Sequence, residues 1–406
     1  MPALLSKRTN DVPDATLGLR SIFRDRWIIT LLTLGFLFRL AIAVGLHIHF
    51  QHANPAHLWS GTDEATYYTF GLNSANLLKS DGWNAFLQSP PASAYFNWLF
   101  FKYTGLTLYV FGDSPMVLRL LSIVFGMLGT VFFLFAFAAS LPLQIQRRFF
   151  VALMCLFPSY AFWSALAIKE GLISMLTGLF CWGLACFWSK TKPWPVLAWT
   201  AVLCMCLGSL RIWAGLAFFC VTAPVILLAH PAKPKPLYLL PLGFAVLAAL
   251  WMTPHVQLII TNMLGWEMDP ALKYYYKRFN FFENRSFLDG QHYPMPMKVA
   301  LAFLLPLPLF SAGSLLMTLG SIENCFFLVL VCLATAGIFQ KISCPELIWL
   351  GMMLIIILVA ITFGTSLGTI YRDKMASLPF IAYFAACALP HSLDSFRCIF
   401  RLRSKL

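Results

Sequence analysis

The amino-acid sequence predicts an all-α, polytopic membrane protein of about ten transmembrane helices, with two outer-face loops that carry interfacial helices. Three observations predict it. Of the 406 residues, 60% are hydrophobic and only 11% charged, whereas soluble domains carry about 25% charged residues. Apolar runs such as 27–50, 116–140 and 345–367 are long enough to cross roughly 30 Å of hydrocarbon. The basic residues gather in short loops between those runs, as the positive-inside bias produces.

That placement decides how the net charge of +13 is read. A nucleic-acid surface would concentrate Lys and Arg on one polar face; here they punctuate apolar segments, so nucleic acid is excluded as a partner. Lys7, Arg8, Arg20, Arg24 and Arg26 precede the first apolar run. The run is too long for a signal peptide and no small-residue cleavage site follows it. Most of the eleven cysteines, among them Cys155, Cys181, Cys186, Cys204, Cys206, Cys220 and Cys325, lie inside apolar runs, and the two longest polar loops contain none. They read as small core hydrophobes, neither a disulfide framework nor a zinc site. No long polar stretch remains to form a soluble domain, so 1–406 is one transmembrane domain.

The spans fall at 27–49, 116–140, 148–166, 171–188, 195–210, 213–230, 236–253, 321–339, 345–366 and 375–392. The connections at 141–148 (Arg147, Arg148), 189–194 (Lys190, Lys192), 231–235 (Lys233, Lys235) and 340–344 (Lys341) are short and basic, and so face the cytoplasm. The N-terminus 1–26 and the tail 393–406, with Arg397, Arg401, Arg403 and Lys405, lie on that side too. Loops 50–115 and 254–320 lie outside. Residues 297–319 are apolar enough to span, but a span there would put the Arg-rich tail outside, and Pro306 and Pro308 break a helix. The segment therefore reads as re-entrant, bent backbone on the outer side; the alternative is a true span and an odd total. No internal repeat is visible, which weighs against transporter folds built from repeated halves.

The first outer loop is the most informative stretch. Asp63 and Glu64 precede a weakly helical segment, 65–78, whose Tyr67, Tyr68, Phe70 and Leu77 make an apolar face suited to the membrane interface. Two readings of the acid pair stand. The acids favour a helix N-terminus and cap it, or one of them is a general base for an acceptor hydroxyl at the membrane surface.

An early outer-face Asp63-Glu64, then Ser89-Pro90-Pro91, Gly112-Asp113-Ser114 and Arg119 entering the second span resembles the membrane glycosyltransferases of the C-type fold. The likeness is to the protein O-mannosyltransferase-like and aminoarabinose-transferase-like branch. Looser likenesses lie at FPSYAFWSALAIKEGLI (157–173), LLPLPLF (304–310) and GTIYRDKMASLPF (368–380). In that family a short Asp-Glu motif follows the first span and its Asp is the catalytic base. The chain is shorter than the best-known members and has no counterpart of their soluble C-terminal domain, so their particular substrates do not carry over.

Lys169, Arg211, and Arg372 with Lys374 occupy three short outer turns where basic residues are disfavoured. Each taken singly reads as a snorkelling interfacial cation. Together they suit a phosphate at the outer leaflet, Arg as a bidentate fork and Lys as a compact charge. Lys169-Glu170 also reads as a neutralised pair at a tight turn. Arg39, deep in the first span, is expected to face the bundle interior and find a partner. The second outer loop mixes charges with Tyr274, Tyr275 and Tyr276 and carries His292. Tyr67, Tyr275 and His292 are acceptor-side candidates.

The resemblance implies an inverting hexosyl- or pentosyltransferase at the outer face of a bacterial inner membrane. Its donor would be a polyprenyl-phosphate-linked sugar and its other partner membrane lipid, with Asp63 as base, Glu64 assisting, and the outer cations on the leaving phosphate. No cofactor is implied, and no metal-ligand spacing stands out, although Asp63 with Glu64 could hold one divalent ion. The alternatives are a non-enzymatic lipid-linked sugar transporter or assembly subunit, and a surface polysaccharide polymerase or ligase. A transporter needs charged groups at the bundle midplane, and here most charges gather at the outer surface.

Overall fold

The computed structural model describes residues 22–50, 63–88, 98–188, 193–211, 315–340, 344–363 and 374–389, with 215, 218 and 372. Among them every regular element is helical. The elements are α1 (Arg26–Phe50), α2 (Asp63–Gln88), α3 (Trp98–Phe111), α4 (Pro115–Phe137), α5 (Gln144–Leu156), α6 (Pro158–Ala165), α7 (Glu170–Trp188), α8 (Pro193–Leu210), α9 (Leu315–Gln340), α10 (Cys344–Phe363) and α11 (Leu378–Leu389). Three of the described helices are long and apolar enough to cross a membrane: α1, α4 and the Gly320–Gln340 part of α9. The bent pair α5–α6 makes a fourth if it forms one span. The second outer loop and the expected re-entrant segment lie outside the described residues, except where α9 begins.

α1 shows how little of such a helix is buried. Ile28, Gly35, Arg39 and Ala43 are buried, at spacings of seven, four and four that fall on one helical face. Leu34, Leu37, Phe38 and Val44 stay exposed, as a lipid-facing surface requires. α4 is the centre of the bundle and buries a much wider face, from Leu118 and Arg119 through Phe133 to Phe137. It can do so because small residues let α7 approach closely. A Cβ added to Gly171 would stand 2.3 Å from the Ser122 carbonyl oxygen, and one on Gly129 would stand 2.4 Å from Ser174 Oγ. Small residues at helix contacts serve this purpose where apolar burial from water gives no driving force.

The expected span 148–166 is two helices bent by 53°. The cause is Pro158, which has no N–H to donate to the Met154 carbonyl one turn back. Arg39 supplies what the break removes. Its Nη2 donates to Met154 O at 2.8 Å and its Nη1 to Cys155 O at 2.8 Å, while Nε donates to Ser164 Oγ at 2.8 Å. From α9, Glu323 accepts from the Ser159 backbone N–H at 2.7 Å and from its hydroxyl, capping α6 at its N-terminus. Arg39 is therefore fully buried because it completes the backbone hydrogen bonds of a broken helix, which hydrocarbon cannot do.

α3 was not expected as an element; its 14 residues are too few to register as a span. It packs on α2 through Gly71, which lies against Thr104, and Gly105, which lies against Ser74. Phe100 meets the Tyr67 ring edge-on and Phe101 at a tilt, at centroid distances of 4.9 and 5.7 Å. The turn into α4 uses Gly112 at φ 93°, which only glycine adopts without strain.

The two ends of the bundle differ in charge chemistry. At one end, Arg148 pairs with Asp25 at 2.8 Å, and Arg147 donates to the Leu141 and Ala138 carbonyls that close α4. The hydrogen bond from Arg148 holds the Asp25 carboxyl below its usual range against the opposing effect of burial. The starts of α2, α4 and α7 form the opposite end.

Candidate functional site

Asp63 and Glu64 are neighbours in the first turn of α2, and their side chains part. Glu64 turns into the bundle and takes both arms of Arg119, at 2.8 and 2.9 Å. It also accepts the Ala167 backbone N–H at 2.9 Å. Both partners are buried, at 1% and 0% side-chain exposure. The fork engages both oxygens of Glu64, and with the Ala167 bond it locks α2, α4 and the 166–169 turn together. Asp63 stays 48% exposed and meets Arg372, 309 residues away in sequence.

Arg372 stands between two carboxylates. Its Nη1 donates to Asp63 Oδ2, and its Nε lies 3.2 Å from Glu170 Oε1. Glu170 in turn accepts from Arg211 Nη2. Lys169 Nζ donates to the Leu210 carbonyl at 3.1 Å and lies 6.0 Å from the centroid of the Tyr67 ring. The structure thus gathers Asp63, Lys169, Glu170, Arg211 and Arg372. With Lys169 protonated, this group carries one positive charge in excess. Glu170 serves the two arginines as well as lying beside Lys169 in sequence.

The electrostatics follow from that arrangement. Burial would raise the Asp63 carboxyl, but the charge and hydrogen bond of Arg372, with Lys169 and Arg211 beyond, outweigh it and hold the group below its ordinary range. Lys169 is shifted down as well, which for an amine favours the neutral form. Burial first, then the charge of Arg211, lowers its amine to about 7, with Glu170 and Asp63 pulling back. Tyr67 beneath it is pushed well above the usual phenol range, mainly by burial and then by the charges of Asp63 and Glu170, so it remains a protonated phenol.

Beside the charges lies a cleft with about 50 Å³ of cavity volume, room for a few waters. Glu170, Arg211 and Arg372 stand on its wall beside Phe133, Trp163, Ile173, Met375 and Pro379. Charged groups thus stand against a mostly apolar slot.

The remaining expected site residues are placed as follows. Lys374, two positions after Arg372, turns inward; it is 2% exposed, donates to Asn324 Oδ1 at 2.6 Å and covers the Phe327 ring at 4.5 Å. Tyr67 is 3% exposed, a floor beneath Lys169 with its ring enclosed by α3. Tyr275 and His292 lie outside the described residues. Glu64 does not join Asp63 in offering a second carboxylate to an ion, since Arg119 holds both its oxygens. Among the described residues no three His, Cys, Asp or Glu side chains gather as a metal site. The sequence alone marks Glu170 only as a turn residue; Arg211 and Arg372, two basic turn residues in want of an anion, are the signal for it.

No family model, curated protein or solved structure matches the chain.

Proposed function

We propose that this protein is a membrane glycosyltransferase that moves a sugar from a polyprenyl-phosphate donor to an acceptor hydroxyl at the outer face of a bacterial inner membrane. The observation that carries the reading is the convergence of Asp63 with Arg372, Glu170, Arg211 and Lys169 at an apolar cleft. These charges come from four separate turns of a membrane-embedded chain. The ten-span topology, both termini in the cytoplasm and 297–319 re-entrant, is part of the same proposal.

Asp63 has the exposure and ionisation a base needs. It is anionic at neutral pH and open to an incoming hydroxyl. As the acceptor oxygen bonds to the anomeric carbon, its proton passes to Asp63, and the bond from that carbon to the phosphate oxygen breaks with its electron pair going to the phosphate. Arg372, Arg211 and Lys169 would supply the positive charge that meets it, which is electrostatic stabilisation by fixed groups. Direct attack inverts the anomeric configuration. Arg372 would leave Asp63 for the phosphate when donor binds, so one residue would both order the empty site and build the loaded one. Glu64 and Lys374 are left out of the reacting set, because Arg119 and Asn324 occupy them.

The test is a binding titration of a polyprenyl-phosphate sugar against purified variants, with a transfer assay beside it. Arg372→Ala should weaken donor binding and slow transfer together, because the same charge serves ground state and transition state. Arg372→Lys should recover part of the loss, since the fork goes and the charge stays. Donor binding and transfer both at wild-type level in Arg372→Ala would sink the reading and leave the turn an interfacial anchor.

A further inference from the structure

Two walls of the cleft are tied together by a helix that does not line it. One wall is α6, which brings Tyr160, Trp163 and Ser164; the other is the segment around Arg372, Met375 and Ala376. On α9, the consecutive residues Glu323 and Asn324 are 7% and 0% exposed. Glu323 grips the first wall: its carboxylate accepts from the Ser159 N–H and hydroxyl at the head of α6. Asn324 grips the second: its Oδ1 accepts from Lys374 Nζ at 2.6 Å. One turn further along α9, Phe327 lies under the Lys374 amine at 4.5 Å and meets Phe157 edge-on at 6.4 Å, so it touches both walls as well. The Lys374 backbone is held in its turn, since its carbonyl accepts from Ser377 Oγ at 2.6 Å and from Ser377 N at 3.0 Å.

The two grips share their chemistry. Each buries polar groups deep in an apolar bundle, where an unmatched donor or acceptor is costly, and each is matched to a partner on another element. Sliding α6 against the Arg372 segment would break one grip or the other. Lys374 lies two positions after Arg372, and on a helical turn residues at that spacing do not share a face. Anchoring the lysine inward therefore fixes the arginine outward, toward Asp63 and Glu170.

We propose that Glu323-Asn324 on α9, acting through Lys374, is a positioning unit that holds Arg372 and the two cleft walls at the spacing needed for the lipid phosphate. The proposal rests on the glycosyltransferase reading for its ligand, but the clamp itself is testable without it. Lys374 is then a positioning residue that acts through Arg372 and does not touch the phosphate.

The first measurement is hydrogen–deuterium exchange on the full-length protein, which needs no ligand. Asn324→Leu should speed exchange of amides in 374–378 by tenfold or more while peptides from α1 exchange as in wild type, a local opening rather than a global one. Asn324→Asp keeps an acceptor for Lys374 and should exchange like wild type. Unchanged 374–378 amides in Asn324→Leu, or faster exchange everywhere, would overturn the clamp whatever the protein's activity.

The second measurement is a double-mutant cycle on binding of the polyprenyl-phosphate sugar. Lys374→Met alone should weaken binding about tenfold, and in the Arg372→Ala background it should add no more than about twofold. Additive losses would mean that Lys374 meets the phosphate directly, and would overturn the positioning role. If wild type and all variants bind the sugar phosphate equally poorly, the glycosyltransferase reading has failed, and the exchange result alone decides the clamp.

Discussion

Asp63 and Glu64 have the same chemistry and adjacent positions on one helical turn, yet the fold treats them oppositely. Glu64 is sealed at 1% exposure against an arginine at 0%, with a backbone N–H besides. Asp63 is 48% exposed and shares an arginine with Glu170. The first ion pair spends all its capacity inward, and nothing that enters from outside can use it. The second is built of groups that a ligand can reach and rearrange. A buried pair with both carboxylate oxygens committed is scaffold; a half-open pair inside a surplus of cations is a place where charge can move.

The largest effect should come from breaking the closed pair. Glu64→Ala leaves Arg119 charged and buried without its partner, which costs roughly 3–5 kcal/mol. The expected outcome is a steep fall in folded yield and melting temperature in detergent. Glu64→Leu with Arg119→Met should regain much of that stability, because apolar replacement of a buried pair is often neutral. If Glu64→Ala folds like wild type while transfer is lost, Glu64 belongs to the chemistry and the contrast collapses.

Breaking the open pair should do the reverse. Asp63→Asn keeps the shape and loses the proton acceptor, so transfer should fall about a hundredfold or more. Stability should change by at most about 1 kcal/mol, the usual worth of an exposed ion pair. The variant should still bind donor, since the phosphate ligands are intact. Normal turnover by Asp63→Asn would reduce the residue to a helix N-terminal acid.

The contrast between the two acids was not legible in the sequence. One step along a helix rotates the side chain by about 100°, and which of two neighbours faces inward depended on where Arg119 of α4 came to rest. The helices were easier. The apolar runs located α1, α4 and α7 to within a few residues, because each run is continuous and bounded by polar residues. The break at Pro158 was visible as a residue but hidden by a hydropathy that runs on unbroken through 148–166. α3 was too short for that criterion, and its signal lay in Gly105 and the ring pair Phe100-Phe101. The outer cations stood out through their misplacement under the positive-inside bias. That Lys169, Arg211 and Arg372 meet around Glu170, while Lys374 turns away to Asn324, is a matter of packing between turns far apart in sequence.

The smallest predicted effect, and the most selective, concerns pH. Lys169 titrates near 7 because burial and the Arg211 charge disfavour its cation. Below that pH the cluster holds three cations against two carboxylates; above it Lys169 is neutral and the surplus disappears. The sugar-linked donor is a phosphodiester with no second ionisation, unlike a phosphate monoester with its second pKa near ~6, so the ligand does not titrate over this window. Donor affinity should therefore fall as pH rises, by roughly three- to tenfold between about 6.5 and 8.5 if the anion favours protonated Lys169 by about 1 kcal/mol or slightly more. The same depressed value makes folding the less proton-hungry state between about 7 and 10.5, so this group's contribution to stability grows with pH across that range. Affinity and stability should thus move in opposite directions. Lys169→Met should flatten the affinity profile at the weak level and Lys169→Arg at the strong one. A profile in Lys169→Met that falls as in wild type would put the titrating group elsewhere and remove Lys169 from the phosphate site, while leaving Asp63 and Arg372 to be judged by their own variants.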